Sequence, residues 1–308
     1  MDDRDEPILI MGSGALASLF AARLAAQGVD VTLFGTWQAA LEALERNGVR
    51  LVVGPASELV YRVRVAREPQ AVRGVRWALV LVKAWQTERA ARQLAACLAE
   101  DGVALTLQNG LGNDAILERF LGAERVAIGV TTIGATLLNP GQVRPGGEGI
   151  ISVQAHPRLG LLEAVLRRAG FGVERVEDVQ SLVWGKLVIN AAINPLTALL
   201  EVPNGELLRR PTARAMMGRL AVETAAVAAA QGICLPFPDP IEVAERVALQ
   251  TAANLSSMLQ DVRRGAPTEI DAICGAVVRL GERYGVPTPV NEVCWHLVRA
   301  RAAASVSW

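Results

Sequence analysis

The chain has 308 residues, 51% of them apolar and 20% charged, with a formal net charge of zero. That describes an ordinary soluble protein large enough for two domains. No basic run is present, so neither nucleic acid nor an anionic membrane surface is expected as a partner.

Cys97, Cys234, Cys274 and Cys294 are widely spaced, with only His156 and His296 as companions. Neither a disulfide framework nor a metal site is expected, and all four thiols read as buried and unreactive. The start, Met1-Asp2-Asp3-Arg4-Asp5-Glu6, is acidic and leads into a strand pattern, unlike a signal or transit peptide. The apolar stretch from Ile8 is interrupted by Arg23 and Gln27 before it could span a bilayer. A cytoplasmic address follows, without membrane contact.

Ile8-Leu9-Ile10-Met11 predicts a short strand opening into Gly12-Ser13-Gly14-Ala15-Leu16-Ala17, then a helix from Ser18 to Gln27 and a second strand from Val29 to Phe34. Gly12 permits the tight turn, Gly14 lets the backbone approach a pyrophosphate, and Ala17 lets the helix pack closely on the sheet. The helix N-terminus then faces the phosphates of a dinucleotide. The same pattern also fits a tight strand-to-helix turn that binds nothing. At the end of the second strand an acidic residue would bind a ribose hydroxyl and an arginine a 2′-phosphate. Phe34-Gly35-Thr36-Trp37 offers neither. Thr36 can hydrogen-bond a ribose or phosphate without choosing between NADH and NADPH.

A hairpin over Val49 to Ala66 comes next, followed by strand Trp77 to Val82, helix Glu88 to Ala99, strand Val103 to Leu107, helix Asn113 to Phe120 and strand Val126 to Thr132. Strands alternating with helices imply a mostly parallel sheet covered on both faces, with ligands beyond the carboxyl ends of the strands. Lys83 and Asn109-Gly110 fall at such ends. A plain strand-end charge and a simple turn are the alternative readings. The Gly/Pro-rich segment Asn139 to Gly149 reads as strands joined by turns that extend the sheet at its far edge. Helix Leu159 to Ala169 and strand Phe171 to Arg175 finish the domain near Asp178, giving domains 1–178 and 179–308.

Of 31 basic residues only Lys83 and Lys186 are lysine. Arg stays charged at any working pH, whereas the Lys ammonium can give up a proton, so each Lys marks a candidate for proton-transfer chemistry. A general compositional bias toward Arg is the competing account. Lys186, Asn190 and Asn194 climb one face of the helix that opens the second domain, in steps of roughly 6 Å. The rest of its circumference is apolar, so this narrow polar stripe should line a cleft. Pro195 should kink the helix and leave the Ala191 carbonyl without its donor. From Val179 onward the chain is helical, with breaks at Pro203-Asn204-Gly205, Pro236-Phe237-Pro238, Gly265-Ala266-Pro267 and Gly285-Val286-Pro287. Thr268 is expected to cap a helix, with Glu269 in its first turn. The Ala-rich stretch Ala221 to Ala230 fits packing inside the domain or across a homodimer.

Taken together, Gly12-Ser13-Gly14-Ala15, Val82-Lys83-Ala84-Trp85-Gln86, Asn109-Gly110, Trp184-Gly185-Lys186 through Asn194-Pro195-Leu196-Thr197-Ala198, Pro203-Asn204-Gly205-Glu206, Ser256-Ser257-Met258-Leu259-Gln260-Asp261 and Thr268-Glu269-Ile270-Asp271 resemble the ketopantoate reductases (2-dehydropantoate 2-reductases) nearly end to end. The resemblance implies an α/β fold: an N-terminal Rossmann-type doubly wound sheet followed by an all-helical C-terminal domain of the 6-phosphogluconate dehydrogenase type, with the active site between them. It implies NADPH-dependent reduction of 2-dehydropantoate to (R)-pantoate on the route to pantothenate and coenzyme A, with NADH as the other donor.

Position by position, it implies Lys186 as general acid and Glu269 as the carboxylate tied to that lysine and to substrate. Asn109 stands beside nicotinamide and substrate, and Lys83 contacts the cofactor. Gly12, Ser13, Gly14, Ala15, Leu16 and Thr36 complete the cofactor set; Asn190, Asn194, Asn254 and Ser257 join Lys186 and Glu269 around the substrate. Thr36 departs from the pattern, since many relatives place an Arg near there. A small-molecule 2-oxo acid is the expected partner, for a monomer or homodimer. A reductase of another branched 2-oxo acid is the second reading, and a non-catalytic dinucleotide sensor the third.

Overall fold

Four- to six-residue runs such as Ile8–Met11, Val31–Phe34 and Val75–Val80 carry almost no polar side chain and are nearly completely buried. Runs of that length and composition satisfy their backbone only by pairing side by side with both faces covered. The computed structural model, which describes residues 6–54 and 56–304, shows that arrangement. The acidic lead Met1 to Asp5 lies outside the described residues.

The chain divides into two units: Met1–Gln108 with Asn113–Val179, and Asn109–Gly112 with Gln180–Trp308. The first contains β1 (Ile8–Met11), α1 (Ala15–Ala26), β2 (Val31–Phe34), α2 (Gln38–Asn47), β3 (Val49–Gly54), β4 (Ser57–Tyr61), β5 (Arg64–Ala66), β6 (Val75–Val80), α3 (Thr87–Ala95), β7 (Leu98–Thr106), α4 (Asn113–Leu121), β8 (Val126–Thr131), β9 (Ala135–Asn139), β10 (Gln142–Pro145), β11 (Ile150–Gln154), α5 (Gly160–Arg168) and β12 (Gly172–Val176).

Eight strands form one sheet in the order β12-β11-β8-β7-β6-β1-β2-β5. All neighbours are parallel except β11 against β8. The pleat sends alternate residues of β1 to opposite faces: Ile8 and Ile10 join a core with α1 and α5, while Leu9 and Met11 join a second core with α3 and α4. The sheet is therefore doubly wound.

The Gly/Pro-rich segment departs from expectation. β10 does not extend the main sheet; it lies parallel to β3 in a separate four-stranded sheet, β4-β3-β10-β9. Gly141, at φ +71°, closes the β9–β10 turn and accepts a hydrogen bond from the Arg50 amide at 2.8 Å, which seats this hairpin on the earlier one. Only β11 rejoins the main sheet. α1 packs against strands of both sheets, which explains why Ala17, Leu19, Phe20, Ala21, Ala22 and Leu24 are all fully buried. α3 also stops short of the expected Ala99, because β7 already begins at Leu98.

The second unit is helical: α6 (Val179–Leu200), α7 (Glu206–Arg209), α8 (Pro211–Ala230), α9 (Pro240–Gln250), α10 (Ser257–Arg263), α11 (Cys274–Tyr284) and α12 (Pro289–Ala304). The four Pro/Gly breaks all fall between helices. α6 is long and apolar enough to cross a membrane, but 67% of its apolar window is buried inside the protein, as in a core helix. Its helical geometry continues through Pro195 to Leu200. In the Ala-rich stretch, Ala221, Val227 and Ala228 are fully buried within the unit. Cys234 corrects the expectation of four buried thiols: it is exposed, while burial pushes Cys97 and Cys294 up to about 11 and also raises Cys274 well above the ordinary thiol value.

The start of α12 is capped from a distance. Both carboxylate oxygens of Glu223, on α8, accept from α12: the Val290 amide at 3.0 Å, and the Asn291 amide and side chain at 2.9 Å each. A carboxylate at a helix N-terminus satisfies orphan donors and opposes the dipole. Glu223→Ala is expected to lower the unfolding free energy by about 2 kcal/mol, the scale of a lost cap with orphaned donors. Urea denaturation measures it, and an unchanged midpoint would remove the capping role.

Candidate active site

Three loops emerge at the carboxyl ends of the adjacent strands β6, β1 and β2. Gly12 follows β1 at φ +126°, its amide donating to the Phe34 carbonyl at 2.7 Å, and an added Cβ would stand 3.0 Å from the Leu81 carbonyl oxygen. Only glycine fits there. Gly14 occupies the N-cap position of α1, and a Cβ built on it meets nothing within 4 Å. The first turn of α1 contains no acidic residue, so its free amides and positive dipole end suit an anion. These features fit the pyrophosphate of a dinucleotide. Ser13 is buried, with its hydroxyl close to Gly35, while Ala15 and Leu16 are partly buried in the first turn of α1. Thr36 is exposed just beyond β2, and Lys83 stands at the position before a short 3-10 turn beyond β6.

The segment carrying Lys83 is fixed by a network that sequence reasoning missed. The Gln108 side-chain amide donates to the Val82 carbonyl at 3.0 Å and to the Thr87 hydroxyl at 2.8 Å. That hydroxyl lies 2.8 Å from both the Ala84 carbonyl and Asn113 Oδ1. Thr87 and Asn113 are buried polar residues at the starts of helices; that position next to a strand-end Gln was the available signal.

In the second unit, α6 buries Trp184, Leu187, Val188, Ala191, Ala192 and Ile193, leaving Lys186, Asn190 and Asn194 as its polar row. Lys186 and Asn190 are partly buried and Asn194 is buried. Burial pulls the Lys186 amine down to about 8, and the nearby Glu269 carboxylate offsets part of that fall. Glu269 is itself only 6% exposed. Its Oε2 accepts from Asn109 Nδ2 at 3.3 Å. The structure thus brings Lys186, Glu269 and Asn109 together.

Asn109 belongs with this group because its loop is docked on the turn that bears Glu269. The Leu111 amide donates to the Ala272 carbonyl at 2.9 Å. Gly110, at φ +82°, has no room for a side chain, since a Cβ would stand 2.5 Å from that same oxygen. Thr268 does not cap a helix as expected: Glu269 to Ile273 form a turn, and α11 starts only at Cys274. The Glu269 carbonyl accepts from the Ala272 and Ile273 amides instead. A tight turn lets the carboxylate stay buried, where a helix start would have left it in the first exposed turn.

Asn254 and Ser257 are exposed, on the α9–α10 loop and the first residue of α10. Their placement rests on residues not assigned a role by sequence. The Asn204 amide donates to the Asn254 carbonyl at 3.0 Å, and the Gly205 amide to the Ala252 carbonyl at 3.1 Å. Asn204 Nδ2 donates to the Thr251 hydroxyl at 2.9 Å. Ser256 caps α10 and meets the Thr197 hydroxyl of α6 at 2.7 Å, tying the Ser257 end of α10 to the lysine helix.

The chain is 38% identical over 301 residues to a 2-dehydropantoate 2-reductase of Archaeoglobus fulgidus, covering 96% of this chain and 98% of that one. A PanE/ApbA family ketopantoate reductase from Ralstonia eutropha superposes with a TM-score of 0.89 at 33% identity, covering 98% of this chain and all of the other. A D-mandelate dehydrogenase solved with NADH and anilino(oxo)acetate superposes with a TM-score of 0.90 at 28% identity, covering 97% and 99%. Residues 8–158 match the family Ketopantoate reductase PanE/ApbA and residues 178–302 match Ketopantoate reductase PanE/ApbA C terminal. The chain belongs to the ketopantoate reductase PanE/ApbA family.

Proposed function

We propose that this protein is an NAD(P)H-dependent oxidoreductase that reduces 2-dehydropantoate to (R)-pantoate, with Lys186 as the general acid. The observation that carries this reading is the grouping of Lys186, Glu269 and Asn109 in one helical unit of a family member whose glycine loop suits a dinucleotide. Bound nicotinamide supplies the hydride that reaches the ketone carbon. The protein's own work is to hold the oxo acid and to manage the oxygen, which gains negative charge as the ketone is reduced. The Lys186 ammonium stabilises that charge and delivers a proton to the same oxygen, leaving a neutral amine that recovers its proton from solvent.

An amine drawn to about 8 is protonated at neutral pH yet releases its proton more readily than an exposed lysine. Asn190 and Asn194 offer hydrogen bonds to the substrate hydroxyl and carboxylate without adding charge, and Asn254 and Ser257 add further donors. Asn109 is assigned to orient the reacting carbonyl, its amide held by Glu269. Gly12, Ser13, Gly14, Ala15, Leu16 and Lys83 are assigned to the dinucleotide. NADPH is the proposed donor, with NADH also accepted: Thr36 offers a hydroxyl but no charge to a 2′-phosphate, so discrimination should stay within about tenfold, or ~1.4 kcal/mol.

Spectrophotometric oxidation of NADPH and NADH with 2-dehydropantoate, 2-oxoisovalerate and an aryl 2-oxo acid tests the reading. The highest kcat/KM is expected for 2-dehydropantoate. A preference for the aryl acid would move the chain toward the chemistry of its D-mandelate dehydrogenase neighbour, and no turnover with any would leave a dinucleotide sensor.

Lys186→Ala should lose about 10² to 10⁴ of kcat while still binding dinucleotide; near-normal turnover would remove the assigned acid. Activity needs the charged amine, so kcat should fall as pH rises through about 8. Glu269→Gln removes the carboxylate that favours the ammonium, so the alkaline limb of the pH–rate profile should move to lower pH. A limb that stays in place or moves upward would dissociate Glu269 from the lysine.

A further inference from the structure

The turn that carries Glu269 is held from outside by a clamp that the reaction itself does not call for. Asp271, two residues on, has 60% of its side chain exposed, yet four groups converge on it or on the ring that grips it. Its Oδ1 accepts from the Trp295 indole N–H, on α12, at 2.6 Å and lies 3.7 Å from the Arg299 guanidinium. Its backbone carbonyl accepts from Arg279, on α11, at 2.9 Å.

The indole is itself fixed. Arg279 and Arg299 lie over it at 5.8 and 5.7 Å, and His296 stacks on it at 4.9 Å. Gly275 completes the seat, because a Cβ there would stand 2.8 Å from the indole ring. Glycine in the first turn of a helix costs stability, so its presence is explained by the room it leaves for Trp295.

Exposed ion pairs and surface hydrogen bonds contribute little to global stability. Their effect here is local. Residues 269 and 272 are both tied to the 109–112 loop, through Asn109 and Leu111, while residue 271 is tied to α11 and α12. We infer that Asp271 and Trp295 are positioning residues for the reductase reaction, pinning the 269–273 turn so that the Glu269 carboxylate is held against both Lys186 and Asn109. This rests on the function proposed above, and the test keeps the two apart.

The unmodified full chain is assayed first with 2-dehydropantoate and NADPH; its turnover tests the function, and the ratios of variant to unmodified rates test the clamp. Trp295→Phe keeps an aromatic ring in the seat but loses the N–H donor and part of the indole's bulk, while Asp271→Ala removes the acceptor. Each is expected to lower kcat by about tenfold or more, the scale of a small misplacement at a reacting centre. The alkaline limb of kcat should move to lower pH, and the dissociation constant for NADPH should stay unchanged. Asp271→Asn, which keeps a side-chain oxygen for the indole, should recover most of the lost rate. Unchanged kcat and an unchanged limb in Trp295→Phe and Asp271→Ala would overturn the inference. So would a drop in melting temperature with the rate per folded molecule intact, since that marks a structural contact only.

Discussion

A primary amine on a helix wrapped by hydrocarbon is the constraint around which the second unit is arranged. Burial draws the Lys186 ammonium toward giving up its proton, and full pairing with a carboxylate would hold that proton too tightly to give away. A buried carboxylate that offsets only part of the burial leaves the amine between those extremes. The rest of the unit can be read as support for that balance. α6 supplies the apolar wall, the turn after α10 supplies the carboxylate, and the loop after β7 supplies an amide that donates to the carboxylate's Oε2.

Two Asn-Gly turns do much of the alignment, by the same means. In each, a glycine lies bare against an alanine of the partner segment: Gly110 on Ala272, and Gly205 on Ala252. In each, a backbone amide at or beside the glycine donates to that alanine's carbonyl. Close backbone approach fixes a loop more firmly than a side-chain contact, because the side-chain rotamers that would loosen it are absent. The asparagine before each glycine then faces the neighbouring polar groups, Glu269 in one case and Thr251 in the other.

Much of this architecture was legible in the chain itself, wherever local pattern and burial agree. Ile8–Met11 opening into the glycine loop, the alternation of strands and helices, and the Pro/Gly breaks between helices each follow from short-range chemistry. The polar row on α6 stood out because three hydrophilic residues at helical spacing interrupt an apolar surface. What was not legible depends on which distant segments meet. Nothing in Asn139 to Gly149 says that its hairpin prefers β3 to the edge of the main sheet, since both offer unpaired backbone. Thr268-Glu269 carries a helix-start signature that the tertiary ties of Glu269 and Asp271 override. Cys234 looks like its three companions until the loop after α8 is placed. The supporting residues Gln108, Thr87, Asn113 and Asn204 act through hydrogen bonds to residues remote in sequence, so spacing alone could not expose them.

The excursion Asn109–Gly112 has a consequence for how the polypeptide can be divided. The backbone leaves the first unit after Gln108, contributes four residues to the second and returns at Asn113, well before the main junction beyond Val179. A fragment cut at that junction would retain Asn109 while discarding Ala272 and Glu269, the groups it leans upon. Its glycine-kinked loop would then have no seat, and the helical half would be missing one wall of its own polar centre. Covalent continuity is thus part of how Asn109 comes to meet Glu269.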